Sequence, residues 1–173
     1  MSLLTKTLPV LALVFASSAA AADAPPKPVT DLGCLIGNWK GKGTFEAGKD
    51  KANIQANWAC KRSSAQYGVL CTLLLTGIPD LPRYEETDLF GYEPNTNTYH
   101  WYSVTNAGET HDHVAAVPAG SSAQFVFNGV QESKPFREVI DLTFADDSKS
   151  FSLRAETFVA GVSTSVIQVG ARK

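Results

Sequence analysis

The chain has three histidines, and all of them (His100, His111 and His113) fall inside one segment that reads as a β-hairpin. Side chains two residues apart on a strand share a face, so His111 and His113 can converge on one ion across roughly 6.6 Å of backbone. A turn centred on Asn106-Ala107 sets His100 directly opposite His113 and brings in a third imidazole. Three imidazoles with an open fourth position suit a catalytic or regulatory zinc. The arrangement depends on register, because a one-residue slip sends His100 to the other face. The competing reading is that these histidines line a surface or a cavity and hold no ion.

Other groups have the residue types for chemistry but less telling spacing. Glu85, Glu86 and Asp88 cluster at the start of one strand, with alternation separating Glu85 from Glu86 and Asp88. Paired carboxylates can do acid/base hydrolysis, and the plainer reading is a solvated strand start. Arg154 and Glu156 share a strand face, either paired across a cavity or sitting in water; a cavity arginine would tether a ligand carboxylate. The serines of Ser63-Ser64, Ser121-Ser122 and Ser163 to Ser165 lack the glycine context of a nucleophile elbow and read as turn and strand residues. Cys60 and Cys71 flank a turn-like stretch, and a cross-strand disulfide there would stabilise by roughly 3 kcal/mol. Cys34 is then left as a free buried thiol, with pairing to Cys60 or Cys71 as the alternative.

These residues need a scaffold, and the rest of the chain specifies one. Residues 1–22 read as a secretory signal: Lys6, an apolar run from Leu8 to Phe15, and small residues Ala19 to Ala22 for cleavage. The run is too short for a membrane span of about 20 residues. Losing Lys6, the one charged residue before Asp23, takes the net charge from -2 to -3. A mildly acidic chain without Lys/Arg runs is a poor partner for nucleic acid, and equally poor as a polybasic membrane binder. A Pro-rich tether is expected from residue 23 to residue 31, then a short apolar helical turn (Leu32, Cys34, Leu35, Ile36). The domain proper is expected over residues 32–173.

Period-two strands then follow at regular spacing, read near 38–47, 52–61, 67–76, 84–92, 98–106, 109–117, 122–129, 135–144, 150–159 and 162–172. Turn residues such as Gly48-Lys49-Asp50, Gly77-Ile78-Pro79 and Asp146-Asp147-Ser148 separate them. Ile54, Ala56 and Trp58 alternate with Asn53, Gln55 and Asn57, as a half-buried strand requires. An all-β, antiparallel up-and-down barrel of about ten strands removes both sheet edges; a two-sheet sandwich is the rival. Such barrels have room inside for one small ligand.

The segment Leu35-Ile36-Gly37-Asn38-Trp39-Lys40-Gly41-Lys42-Gly43, the stretch Phe90-Gly91-Tyr92-Glu93-Pro94-Asn95-Thr96-Asn97-Thr98-Tyr99, the strand Arg137-Glu138-Val139 and the terminal Arg172-Lys173 together resemble an exported bacterial family of lipocalin-like, calycin-type barrels. The resemblance implies a barrel whose base is closed by Gly37 and Trp39, with Arg172 or Lys173 over the indole; Arg172 is the first choice. It implies no established activity. A looser similarity to nitrobindin barrels concerns the tryptophan-bearing first strand. Those barrels ligate haem through a histidine on a late strand, where this chain has Thr164, Ile167 and Gln168, so no cofactor is expected. The preferred function is an exported or periplasmic barrel binding a small apolar or amphipathic molecule, with Trp58, Trp101, Tyr102, Glu138 and Arg154 as candidate contacts. The alternative is a barrel enzyme using the His100/His111/His113 hairpin or a cavity carboxylate.

Overall fold

A computed structural model describes residues 24–118 and 120–173. The expected signal segment, residues 1–22, lies outside the described residues. The tether does not stay extended. Lys27–Asp31 forms a short helix, α1, followed by a 3₁₀ turn at Leu32–Leu35. Apolar burial and hydrogen bonding account for the docking: Val29 is 2% exposed, and Leu32 and Leu35 are buried with it. The Arg62 guanidinium donates to the Val29 and Thr30 carbonyls at 2.9 and 3.1 Å, capping the end of the helix alongside the Leu32 N–H on Thr30. Tyr99 Oη donates to the Pro28 carbonyl at 2.9 Å.

Ten strands follow: β1 (Gly37–Ala47), β2 (Asp50–Ser63), β3 (Gly68–Thr76), β4 (Tyr84–Glu93), β5 (Thr98–Thr105), β6 (Thr110–Ala116), β7 (Ser122–Gln131), β8 (Lys134–Phe144), β9 (Ser150–Val159) and β10 (Val162–Arg172). Each pairs antiparallel with the next, and β10 returns to β1 to close the barrel. Side chains alternate between the enclosed interior and solvent, clearest in β2, where Ile54, Ala56, Trp58 and Cys60 point in. No helix among the described residues is long and apolar enough to cross a membrane.

Closure depends on two glycines of the first strand. A Cβ on Gly43 would lie 1.8 Å from the Gln168 carbonyl oxygen, and one on Gly41 would lie 2.6 Å from Val169 Cγ1. Only a residue without a side chain lets β10 approach β1 this closely. Below this seam Trp39 is 1% exposed, donates through Nε1 to the Leu35 carbonyl at 2.7 Å and meets Phe151 edge-on at 4.9 Å. The cation over the indole is Lys173, whose Nζ lies 4.5 Å from the ring centroid. Arg172 is exposed on the outer face, because Val169 and Ala171 set the inward parity and Lys173 continues it. Gly37, at φ +138°, leaves room for the Lys173 stem, whose Cε would lie 3.1 Å from a Cβ there. Cys60 and Cys71 face each other in the β2–β3 ladder and form a disulfide with Cα atoms 4.1 Å apart. Cys34 is free.

One wall is laddered differently. Among the described residues β6 and β7 share a single bridge, Val114 with Val126, whereas β5 and β6 pair from Thr98–Ala116 to Val104–Thr110.

Candidate ligand-binding cavity

Residues of all ten strands line a cavity of about 500 Å³ at the barrel end away from Trp39, partly roofed by Ile78, Pro79 and Leu81. Phe45, Leu73, Leu75, Ile140 and Ile167 give it apolar walls, with Trp58 and Trp101 deeper in. Its polar groups are Glu86, Glu109, Ser103, Glu138 and the two histidines His111 and His113, with hydroxyls from β9 and β10. No lysine or arginine is among the lining residues. A second hollow of about 470 Å³ lies at the opposite end, between α1 with its 3₁₀ turn and the loop carrying Ser121 and Ser122.

The polar wall has two parts. In the first, Glu138 Oε2 accepts from His111 Nδ1 at 3.1 Å and from His113 Nε2 at 2.8 Å. Burial alone would push the Glu138 carboxyl up. The hydrogen bonds from both imidazoles and their positive charge outweigh it and hold the carboxyl down at about 2. The same bond raises His111 above its usual range, partly offset by burial. His113 Nδ1 lies 3.3 Å from the Trp101 carbonyl, which can only accept, so this nitrogen carries the proton. The His111 ring stacks on Phe127 at 4.2 Å and 15°. Phe127 folds over Gly129, where a Cβ would lie 2.8 Å from the phenyl ring.

The second part lies on β4. Tyr84 Oη donates to Glu86 Oε2 at 3.1 Å. Burial, with Glu86 beside it, raises the Tyr84 phenol far above its usual range. Two residues along the same face, Asp88 is 0% exposed; its Oδ1 accepts from Trp101 Nε1 at 2.7 Å, while Oδ2 has no partner among the described residues. Burial first, then the negative charge of Glu86, raises Asp88 well above the normal carboxylate range, against the opposing donation from Trp101. Asp88 thus lies behind the cavity wall, enclosed beside Glu86 and Trp101, with burial favouring its protonated form.

The structure places the candidate residues as follows. Trp58, Trp101 and Glu138 line the cavity, as do His111 and His113. His100 does not join them: the register pairs Trp101 with His113, so His100 faces outward and bonds Asp112 at 3.0 Å. Glu138 of β8 stands where a third imidazole was expected. Tyr102 shares the outward parity of His100 and is 45% exposed. Arg154 also points outward, paired with Glu156 at 2.7 Å, because Phe151 and Leu153 fix the inward parity of β9. No arginine anchor therefore reaches the cavity. Glu86 and Asp88 share the inward face of β4, as alternation placed them; Tyr84, whose partner Glu86 is two residues along the same strand, was not among the expected site groups.

Among solved structures, the chain resembles Rv2717c from M. tuberculosis, with a TM-score of 0.64 and 12% identity over 87% of this chain and 99% of that one. It also resembles the S-type phycobiliprotein lyase CPES from Guillardia theta, with a TM-score of 0.58 and 6% identity over 83% of this chain and 90% of that one. At such identities the likeness is one of fold, a barrel of the lipocalin-like kind. No family profile matches the chain, and neither does any curated protein.

Proposed function

We propose that this is an exported barrel that binds one small molecule in its interior, an apolar body with a neutral or proton-donating polar end. The observation that carries the reading is the cavity of about 500 Å³, within the range of small-molecule sites. It has apolar walls and one polar wall whose free charges are acidic. On this reading residues 1–22 are removed on export, and the Cys60–Cys71 disulfide supports an oxidising compartment. A fatty-acid carboxylate is disfavoured: Glu86 and Glu109 line the cavity, no lysine or arginine offsets them, and His111 is already paired with Glu138. At about 4 Å and an effective dielectric of about 20, a second carboxylate beside Glu86 costs roughly 4 kcal/mol.

Trp58 and Trp101 report on the cavity directly, so tryptophan emission is the assay. In EDTA at neutral pH, decanol and decylamine should shift it with saturable titrations, and decanoate should bind about 100-fold more weakly or not at all. A flat response to all three, or decanoate as the tightest, overturns the reading. The Glu86–Asp88 pair favours a second reading, acid/base catalysis on the bound molecule. A turnover lost in Glu86→Gln at unchanged melting temperature would support it.

A further inference from the structure

We propose that His111, His113 and Glu138 form a site for one divalent first-row transition ion, of the zinc or ferrous class, set into the cavity wall. The three donor atoms lie within 4.8 Å of one another, with Nδ1 and Nε2 at 3.1 and 2.8 Å from Oε2. Bonds of 2.0–2.2 Å around a tetrahedral ion put neighbouring donors about 3.3 Å apart. Both donor contacts to Oε2 therefore open by a few tenths of an ångström, and the two nitrogens, within 4.8 Å of each other, draw together.

The donor set and its support both fit. Two imidazoles and one carboxylate suit zinc and its first-row neighbours, whereas magnesium and calcium prefer all-oxygen shells. His113 Nδ1–H is held by the Trp101 carbonyl, which turns Nε2 toward the site, where it would give up its proton to ligate an ion; this is a common second shell for metal-bound histidine. Phe127 stacks on His111 and Phe136 packs against it, so the ring is oriented before any ion arrives. His113 is 2% exposed, and the His111 and Glu138 side chains are 14% and 18% exposed, enclosed but bordering the cavity. Three protein ligands leave a fourth position facing the cavity, as in sites where an ion holds water or a ligand's polar group. The ion does not depend on the proposed ligand, since its donors are in place without one.

The test uses purified protein stripped with EDTA and titrated with Co2+, followed by visible d–d absorption, with Zn2+ as competitor. One equivalent of Co2+ with a low-coordinate spectrum, displaced by Zn2+, is the expected result. His113→Ala and Glu138→Gln should each weaken binding by about 100-fold or more, since loss of a mere second-shell group already costs 10–100-fold. His100→Ala, on the outer face, should bind as wild type. If His113→Ala does not fold, His111→Gln is the second variant, read by loss of the Zn2+-induced rise in melting temperature. No Co2+ spectrum, or binding that survives these substitutions, overturns the proposal and leaves the trio as an ion pair only.

Discussion

Replacing Asp88 by asparagine tests whether the barrel keeps a carboxylic acid neutral behind its cavity wall. Asp88 is fully enclosed, with one oxygen held by Trp101 and the other without a partner among the described residues. Burial and the nearby Glu86 charge raise it well above its usual value. An acid raised in this way holds its proton more tightly in the folded chain than in the unfolded one. Its contribution to stability is therefore complete below the ordinary value of 3.8 and is lost as pH climbs through the folded value. Within that window wild type takes up one proton on folding, and stability falls by about 1.4 kcal/mol per pH unit.

D88N has no such proton. Its amide oxygen still accepts from Trp101, and its N–H can donate toward Glu86, so shape and packing change little. The stability difference between the two proteins should tilt toward D88N by about 1.4 kcal/mol for each pH unit above 3.8. Each such unit within the window is worth roughly 3–6 °C of melting temperature for a chain of this size. Urea unfolding at half-unit pH steps, followed by tryptophan emission and circular dichroism, measures it. All other titrating groups are common to both proteins and cancel to first order. Two stability curves that run parallel from pH 4 to 7 would show that Asp88 is ionised in the fold and would refute the reasoning.

Two further outcomes concern closure. Gly43→Ala places a methyl 1.8 Å from the Gln168 carbonyl oxygen and should cost about 3 kcal/mol or more, whereas Gly170→Ala, with nothing within 4 Å, should stay within about 0.5 kcal/mol. Denaturant melts of both variants compare them directly. Lys173→Met, which keeps the stem and removes the charge over Trp39, should lose about 0.5–1 kcal/mol, and Arg172→Met should lose nothing measurable by the same melts.

Strand positions were legible because both of their signals are local. Alternation and turn residues marked all ten strands; residues 150–159 and 162–172 match β9 and β10 as observed, and the others differ at their ends by a few residues. The disulfide was legible for the same reason, since Cys60 and Cys71 sit on neighbouring strands of one hairpin. Parity across hairpins was harder. The β5–β6 pairing Val104 with Thr110 centres the turn on Ala107, half a residue beyond the expected centre, and Gly108 at φ +85° accommodates the longer loop. That shift alone turned His100 out of the site. Arg154, Tyr102 and Arg172 could have been placed from their neighbours, because Leu153, Trp101 and Ala171 carry the apolar parity. Alternation put Asp88 on one face with Glu86, but its enclosure was not legible: a buried acid has the same local sequence as a solvated one, and its indole partner lies on another strand.

The site's location and the barrel's least-laddered wall are connected. β6 is the shortest strand and shares one bridge with β7 among the described residues, so His111 has no backbone partner on that side. Side chains supply the connection instead. Phe127 of β7 stacks on His111, and Glu138, one strand further on, binds both histidines. The wall is thus held by an aromatic stack and a charged trio where other walls use a hydrogen-bond ladder, and such regions open at lower free energy. Any ion or ligand that binds the closed wall and not the opened one stabilises it in proportion to the logarithm of its concentration over its dissociation constant. An ion held by the trio should therefore slow amide hydrogen exchange in β6 and β7 as its concentration rises, and exchange unchanged on adding Zn2+ would refute that coupling.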